Sequence, residues 1–234
     1  MERWSDIAFP RPPAGEAADE LIEVTFADGT VQRLRIQDYP RMFAVPGLYE
    51  EVVQRRLACA APDQVADLLA RAAQDGLRVL DVGAGNGVSG QALAARGLRP
   101  VVGVDLLPAA REAALRDRPD LYDLYLVADL TALAPDDADA IRALRPDALA
   151  CAGAIGAGHL PTPALAAALD LLEPGALVAL TVHAPADDPV LAPLEALLAE
   201  RLEGLVRKPF RHRFTTTRGE RHAEAVRGRL RAPR

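Results

Sequence analysis

Cysteine is scarce in this chain, and its scarcity excludes two architectures. Cys59 and Cys151 are the only cysteines among 234 residues, too few for a disulfide framework or a cysteine-based zinc site, and we predict no metal centre. The longest nearly uncharged run, residues 148–169, contains Gly, Pro and His and so does not predict a membrane span. Because the first residues lack a basic segment followed by an apolar one, no signal peptide is indicated, and we expect a cytoplasmic protein without a membrane partner.

Lysine is scarcer still, and positive charge is concentrated at one end of the chain. Lys208 is the only lysine beside 26 arginines. Residues 201–234 hold ten Arg and one Lys against three Glu, a net charge of +8, whereas the first 200 residues have a net charge of −14. A basic tail is typical of proteins that bind nucleic acid or phosphate groups. Its arginines alternate with apolar and polar residues, however, which favours the solvated face of a terminal hairpin.

Short apolar runs alternate with Ala-rich stretches from Arg78 onward. The runs are residues 78–83, 100–105, 124–129, 147–153 and 176–182, and helices are predicted at about 87–96, 108–118, 135–145, 162–172 and 189–203. Apolar strands without alternation indicate a parallel sheet buried on both faces, and their alternation with helices indicates a doubly wound α/β fold. Residues 208–217 and 221–230 predict two more strands, which form a terminal antiparallel hairpin.

The preceding segment has a different pattern. Residues 1–18 are rich in Pro and Ala without periodicity and predict a loose arm. Residues 21–36 alternate around Asp28-Gly29 and predict a β-hairpin. Residues 38–47 contain two prolines and are expected to be irregular, and helices follow over 48–60 and 62–74.

The segment VLDVGAGNG, residues 79–87, has the most specific motif. Three glycines at alternate positions from Gly83 to Gly87 end a predicted strand and open a helix, where they let a ligand approach the backbone. The dinucleotide fingerprint would need glycine at position 88, which is Val88 here. Asp81 is unfavourable beside a pyrophosphate but suits a cationic ligand such as S-adenosylmethionine, so a nicotinamide oxidoreductase is disfavoured.

Three successive predicted strands end in an acid, namely Asp81, Asp105 and Asp129. Each acid alone is explained by a helix N-cap or a turn. Together with the glycine loop, they indicate a cofactor site at one edge of the sheet. A carboxylate at Asp105 can accept both ribose hydroxyls, and Asp129 can take the exocyclic amine of an adenine with Leu130 against the ring.

The motifs VLDVGAGNG, VVGVDL and VADL resemble those of the class I S-adenosylmethionine-dependent methyltransferases. The resemblance covers about residues 48–230 and implies a Rossmann-like, seven-stranded doubly wound sheet whose last strand is antiparallel. It assigns residues 48–234 to the methyltransferase domain and residues 1–47 to an N-terminal arm and β-hairpin extension. The segments GLYEEVV, GVDLLPA and GAIGAGHLP are similar, more narrowly, to methyltransferase-like proteins of the Williams–Beuren region type.

This resemblance implies S-adenosylmethionine as cofactor, S-adenosylhomocysteine as product, and a set of cofactor-binding residues. Tyr49 belongs to a segment that often closes over the cofactor in this superfamily, although core packing explains it equally well. The implied cofactor-binding residues are Tyr49, Asp81, Gly83, Ala84, Gly85, Gly87, Asp105, Leu106, Asp129, Leu130, Ala152 and Gly153.

Two histidines are candidates for a general base, which methyl transfer needs only if the acceptor starts protonated. His159 and His183 follow the fourth and fifth predicted parallel strands, at the edge where ligands bind in such folds. Bracing of a loop is the alternative role for each. His212 and His222 lie on the terminal hairpin, where structural or exposed roles are favoured.

The sequence therefore predicts a methyltransferase that acts on a small molecule, with O-methylation in secondary metabolism favoured. One alternative is an RNA or protein methyltransferase that uses the basic C-terminal segment. Another is a protein that binds the cofactor without transferring methyl, as a cyclase or regulator. The acceptor, the role of the N-terminal hairpin and the choice between monomer and homodimer are left open.

Overall fold

A computed structural model of the protein describes residues 4–10, 20–72, 76–156, 159–183, 188–217 and 219–232. Its central sheet has seven strands in the spatial order β6-β5-β4-β7-β8-β10-β9. These strands are β4 (Arg78–Val82), β5 (Arg99–Asp105), β6 (Leu124–Val127), β7 (Ala148–Cys151), β8 (Leu177–Val182), β9 (Leu202–Phe214) and β10 (Glu220–Leu230). The first five are parallel, and β10 is antiparallel to both β8 and β9. The predicted Rossmann-like sheet with its terminal antiparallel hairpin is confirmed.

Helices cover both faces of the parallel part of this sheet, which explains why its inner strands β4, β7 and β8 are buried and mostly apolar, whereas β9 at the edge is largely exposed. The helices are α1 (Tyr39–Ala44), a π-helical segment (Glu50–Arg56), α2 (Ala61–Ala70), α3 (Val88–Ala94), α4 (Pro108–Asp117), a 3-10 turn (Leu130–Ala132), α5 (Pro135–Ala143), α6 (Thr162–Leu169) and α7 (Leu191–Arg201). Along β4, Val79 packs with α2 and α3, whereas Leu80 packs with α5, α6 and α7. Successive residues of a strand thus enter opposite halves of the core. No described helix is long and apolar enough to cross a membrane.

The N-terminal extension is a three-stranded antiparallel sheet of β1 (Trp4–Ala8), β2 (Leu21–Phe26) and β3 (Val31–Arg35). The predicted hairpin is confirmed, and Gly29 takes the left-handed φ of +85° that its turn requires. The prediction of a loose arm over residues 1–18 is wrong for β1, although residues 11–19 lie outside the described part. Ile7 of β1 is buried because this strand pairs with β2. A strand of only five residues shows too little periodicity for this pairing to be predicted from the sequence.

The segment expected to be irregular, residues 38–47, contains α1 instead. Pro40 stands in the first turn of this helix, where a missing backbone N–H costs no hydrogen bond. The apolar face of the N-terminal sheet packs on α1 and on the π-helical segment, with Ile22, Met42 and Val52 fully buried in one cluster. This packing fixes the extension above the carboxyl edge of the central sheet.

Candidate active site

The glycine loop begins where β4 ends, and its conformation depends on glycine at three positions. Gly83, Gly85 and Gly87 have φ angles of +70°, +54° and +87°, in the left-handed region. A Cβ atom on Gly83 would lie 2.5 Å from the Cβ of Ala154, so the loop passes close to the segment after β7. Ala84, within the loop, is buried against Ala114 of α4. It therefore offers its backbone rather than its side chain to a ligand.

Asp105, at the end of β5, holds this loop in place. Its carboxylate accepts the backbone N–H of Gly85 at 2.9 Å and that of Leu107 at 3.0 Å. Burial raises the pKa of this carboxyl group. Leu106 follows with 64% of its surface exposed, an apolar side chain at the tip of the sheet without a protein cover. A carboxylate beside an exposed apolar group can receive a ribose and one face of an adenine.

Asp81 is fully buried below the glycine loop. Its Oδ2 accepts the hydroxyl of Tyr122 at 2.7 Å, and its Oδ1 has no hydrogen-bond partner among the described residues. Burial raises the pKa of Asp81 to about 7. A cation that binds on the loop would favour the charged form of this carboxylate. Tyr122 was not predicted as a site residue, since it carries no motif and lies 41 positions away.

Asp129 caps the 3-10 turn that follows β6, and Leu130 is a core residue. Oδ1 of Asp129 accepts the backbone N–H of Thr131 at 2.8 Å and its hydroxyl at 2.7 Å, which lowers the pKa of Asp129. Leu130 is 4% exposed and packs in the main core. To an adenine, this pair can therefore offer its backbone groups and Oδ2 of Asp129. The predicted contact of the Leu130 side chain with the ring is not available, and the exposed apolar side chains at this edge are those of Leu106 and Val127.

An arginine that the sequence did not reveal connects the glycine loop to the N-terminal segment. Arg118 donates to the carbonyl oxygen of Asn86 at 3.1 Å and to Oε1 of Gln91 at 2.8 Å. It also pairs with Glu50 at 2.9 Å, and the amide of Asn86 donates to the same carboxylate at 3.1 Å. We call these four residues the Arg118 clamp. No local motif could indicate it, because its members come from four separate elements.

A cavity of about 250 Å³ lies at the carboxyl ends of β7 and β8. The predicted residues that line it are Tyr49, Ala152, Gly153, His159 and His183. The structure thus brings both candidate bases together with the backbone after β7. Asp81, the glycine loop, Asp105 and Asp129 do not line this cavity. We call the region that they form the cofactor surface, after the role that the motifs predict for it.

An aromatic cluster from the N-terminal extension joins the two surfaces. Phe43 lies 3.4 Å from the Cβ position of Gly85, and its ring packs 4.9 Å from that of Tyr49. Tyr39 contacts Phe43 and, at 5.8 Å between ring centroids, His159. The extension therefore forms the wall of the cavity that faces the glycine loop.

His183 has a hydrogen bond that defines its tautomer. Its Nδ1 lies 2.9 Å from the carbonyl oxygen of His222, and since a carbonyl can only accept, Nδ1 carries the proton. The lone pair of a neutral His183 is consequently on Nε2. The ring stacks on His212 at 5.0 Å. Burial lowers the pKa of both rings, that of His212 to about 3, so both are neutral at pH 7.

Two arginines and a buried glutamate complete the cavity wall. Arg213 and Arg221 line the cavity and are direct partners across β9 and β10. Glu20 is 1% exposed and pairs with Arg213 at 2.6 Å and with Arg221 at 3.6 Å. No local pattern could indicate this triad, because Glu20 is about 200 positions from both arginines.

These groups fit S-adenosylmethionine, the cofactor implied by the motifs. The free Oδ1 of Asp81 suits a cationic group, and Asp105 beside Leu106 suits a ribose and an adenine. The positive φ angles of the loop keep side chains away from the ligand surface. Ala152 and Gly153 line the cavity, and the next residue, Ala154, is the one that a Cβ atom on Gly83 would meet.

Comparison with known proteins agrees with this geometry. The family model described as "Methyltransferase domain" matches residues 52–226. N-methyltransferase NodS from Bradyrhizobium japonicum WM9, solved with S-adenosyl-L-homocysteine, has a TM-score of 0.61 at 14% identity, over 83% of this chain and 97% of that one. No curated protein matches the sequence.

Two further solved structures share the fold. The 1,6-didemethyltoxoflavin-N1-methyltransferase from Burkholderia thailandensis has a TM-score of 0.58 at 16% identity, over 95% of this chain and all of that one (100%). A TehB-like SAM-dependent methyltransferase from Corynebacterium glutamicum has a TM-score of 0.50 at 23% identity, over 72% of this chain and 88% of that one. Since the family model spans well over half of the sequence, the chain belongs to the methyltransferase-domain family and is an S-adenosylmethionine-dependent methyltransferase.

Proposed function

We propose that this enzyme methylates a hydroxyl oxygen of a small molecule in secondary metabolism. The observation that supports this most directly is the cavity of about 250 Å³, which is lined by His183, whose Nε2 carries the lone pair and has no hydrogen-bond partner among the described residues. Its volume is near the lower end of ligand pockets, so it suits a molecule of one or two rings. Among similar structures, one holds 1,6-didemethyltoxoflavin and another concerns echinomycin biosynthesis, which is consistent with a small acceptor.

We assign the cofactor to the surface between the glycine loop and the strand tips. Asp81 and the loop backbone would hold the methionine end, and Asp105 with Leu106 the ribose and adenine edge. When bound, S-adenosylmethionine would supply an electrophilic methyl group to the acceptor oxygen, with neutral S-adenosylhomocysteine as its leaving group. The acceptor would lie in the cavity that Ala152 and Gly153 line, next to the glycine loop.

His183 is the proposed general base. It accepts the hydroxyl proton at Nε2 while its Nδ1–H stays bonded to the carbonyl of His222, which fixes the ring plane. The lowered pKa keeps the ring unprotonated at pH 7. A weak base suffices, because the hydroxyl becomes strongly acidic as its oxygen gains the methyl group. His159, against the ring of Tyr39, is the second candidate.

The test is transfer of a labelled methyl group to pooled hydroxylated small molecules, with the product's mass gain as readout. With the acceptor found, His183→Gln should lower kcat by about 100-fold or more, the usual contribution of a general base, and leave S-adenosylhomocysteine affinity unchanged. His222→Gln is the matched control, since its side chain is 68% exposed and only its backbone carbonyl is used. A fully active His183→Gln enzyme would transfer the role to His159, and an N-methylated product would contradict O-methylation.

An RNA methyltransferase is the second candidate, because the fold also matches a putative RNA methyltransferase from Pyrococcus horikoshii and the C-terminal strands are basic. Several of these arginines are neutralised within the chain, however. Arg207 pairs with Glu195 and Glu224, and Arg201 pairs with Asp170. RNA binding that weakens steeply with salt would favour this candidate.

Other predictions from the sequence belong to this proposal. We place the enzyme in the cytoplasm, which cell fractionation tests, and we retain the closer kinship to the Williams–Beuren region type of methyltransferase-like proteins. Protein methylation and a cofactor-binding role without methyl transfer, as in a cyclase or regulator, are the outcomes if no small acceptor gains a methyl group. Light scattering of the intact chain decides between monomer and homodimer.

A further inference from the structure

We propose that the acceptor carries a carboxylate as well as its hydroxyl group, and that Arg221 binds this carboxylate at the cavity wall. The inference rests on the proposed small-molecule function and specifies its substrate class. In the acceptor cavity, the guanidinium of Arg221 has no hydrogen-bonded counterion among the described residues.

Arg213 and Arg221 are directly opposite each other on β9 and β10. Like charges at such positions repel, and the side chain of Arg213 is only 10% exposed, so solvent screens it poorly. Among the described residues, a single carboxylate, that of Glu20 in the N-terminal extension, pairs with both. Two guanidinium groups therefore share one buried counterion.

The two arginines use this counterion unequally. Arg213 forms an ion pair with Glu20 at 2.6 Å and donates a hydrogen bond to the carbonyl of Phe214 at 3.0 Å, as a structural arginine does. Arg221 lies 3.6 Å from Glu20, which is longer than a hydrogen bond, and its side chain is 35% exposed at the cavity. Its planar fork of N–H donors thus matches a ligand carboxylate, which arginine binds in bidentate geometry.

The other charged side chain described at the cavity wall does not neutralise Arg221. Asp188 lines the cavity, but its Oδ1 accepts the backbone N–H of Val190 at 2.8 Å, and no ion pair joins it to Arg221 among the described residues. Within the described ranges, Glu20 at 3.6 Å is the sole ion-pair partner of Arg221. The guanidinium of Arg221 is therefore available to an anionic group of the acceptor.

The aromatic wall narrows the class further. The rings of Tyr39 and Tyr49, 6.3 Å apart, line the cavity with Ile155, and this surface suits a flat ring. A hydroxyaryl carboxylate would place its ring there, its hydroxyl at His183 and its carboxylate at Arg221. Suitable probes are therefore the three hydroxybenzoate isomers and the corresponding hydroxybenzamides. Each amide has nearly the size and shape of its acid but replaces the charged carboxylate by a neutral group.

The experiment measures calorimetric binding of these six compounds to protein saturated with S-adenosylhomocysteine, so that no methyl transfer is needed. At least one isomer should bind ten times more tightly as the carboxylate than as the amide, about what one charge-assisted bidentate contact contributes. Arg221→Gln should abolish this preference, and Arg221→Lys should retain part of it. Arg229→Gln, on the exposed end of β10, is the matched control and should behave as the parent protein does.

A second readout locates the bound probe. Cys59 lines the cavity, whereas Cys151 is fully buried, so a bound carboxylate should slow alkylation of Cys59 alone. Equal binding of acids and amides, an unchanged preference in Arg221→Gln, or no binding by any of the six would overturn the proposal. Carboxylate binding through Arg221 without any methylated product would instead overturn the proposed O-methylation and leave this site intact.

Discussion

The cofactor surface is assembled from one continuous stretch of chain, residues 81–130, whereas the acceptor cavity combines residues 20–62, 152–159 and 183–221. The first depends on backbone geometry, namely glycines at positive φ and strand tips that end in acids. The second depends on side chains that meet only when the N-terminal extension packs against the terminal hairpin. In the proposed assignment, the cofactor would thus be held by locally encoded groups, whereas the acceptor would be chosen by groups that long-range packing brings together.

The two halves should respond to pH with opposite sign. The pKa of Asp81 is raised from 3.8 to about 7, so the folded state holds a proton that the unfolded state has released, and stability is lost as pH rises through this window. The pKa of His212 is lowered from 6.5 to about 3, so the unfolded state takes up a proton that the folded state lacks, and stability is lost as pH falls below about 6.5.

The first prediction separates these effects by urea unfolding from pH 4 to pH 8. Relative to the parent protein, Asp81→Asn should gain about 3 kcal/mol in free energy of unfolding as pH rises, because a buried charge is removed. His212→Gln should show a relative gain of similar size, about 3 kcal/mol, as pH falls. Asp129→Asn, whose carboxylate is exposed, should run parallel to the parent curve. Parallel curves for all three variants would refute the contrast.

The second prediction tests the backbone dependence of the cofactor surface. Gly83→Ala should weaken S-adenosylhomocysteine binding by about 100-fold, since the new Cβ would lie 2.5 Å from Ala154 and must displace the loop. Gly97→Ala is the matched control, because Gly97 also has positive φ, +76°, but has open space around its Cβ position. Calorimetry measures both affinities. Equal losses in the two variants would mean that φ strain, not loop displacement, causes the effect.

The third prediction concerns the contact between the halves. Arg118→Gln should weaken S-adenosylhomocysteine binding by about fivefold, roughly 1 kcal/mol, because the Arg118 clamp loses its charged bonds to Glu50 and the loop. Lysine should not restore the affinity, since one ammonium cannot bridge three partners. Arg99→Gln, which removes an exposed pair with Asp123, is the control. An unchanged affinity in Arg118→Gln would show that the loop needs no support from Glu50 and the π-helical segment.

The parallel part of the central sheet was predictable from the sequence because its inner strands are buried on both faces and its helices alternate with them. The glycine loop and Asp105 were recognisable because each directly follows or ends a strand of this kind. Asp129 shows the limit of local reasoning, because a cap and a ligand have the same sequence signature and only its bonds to Thr131 reveal the cap. Strand β1 and helix α1 were missed because tertiary packing, not periodicity, stabilises them.

The sequence by itself determined the sheet, the glycine loop and the acids at the strand tips, since each follows from residues within a few positions of one another. Tertiary structure alone decided that His183 presents Nε2, because the acceptor of its Nδ1–H is a carbonyl 39 positions away. It also placed Glu20 between two arginines of the last two strands. Such contacts depend on how separate elements pack, which no local pattern encodes, and they are the contacts that would select the acceptor.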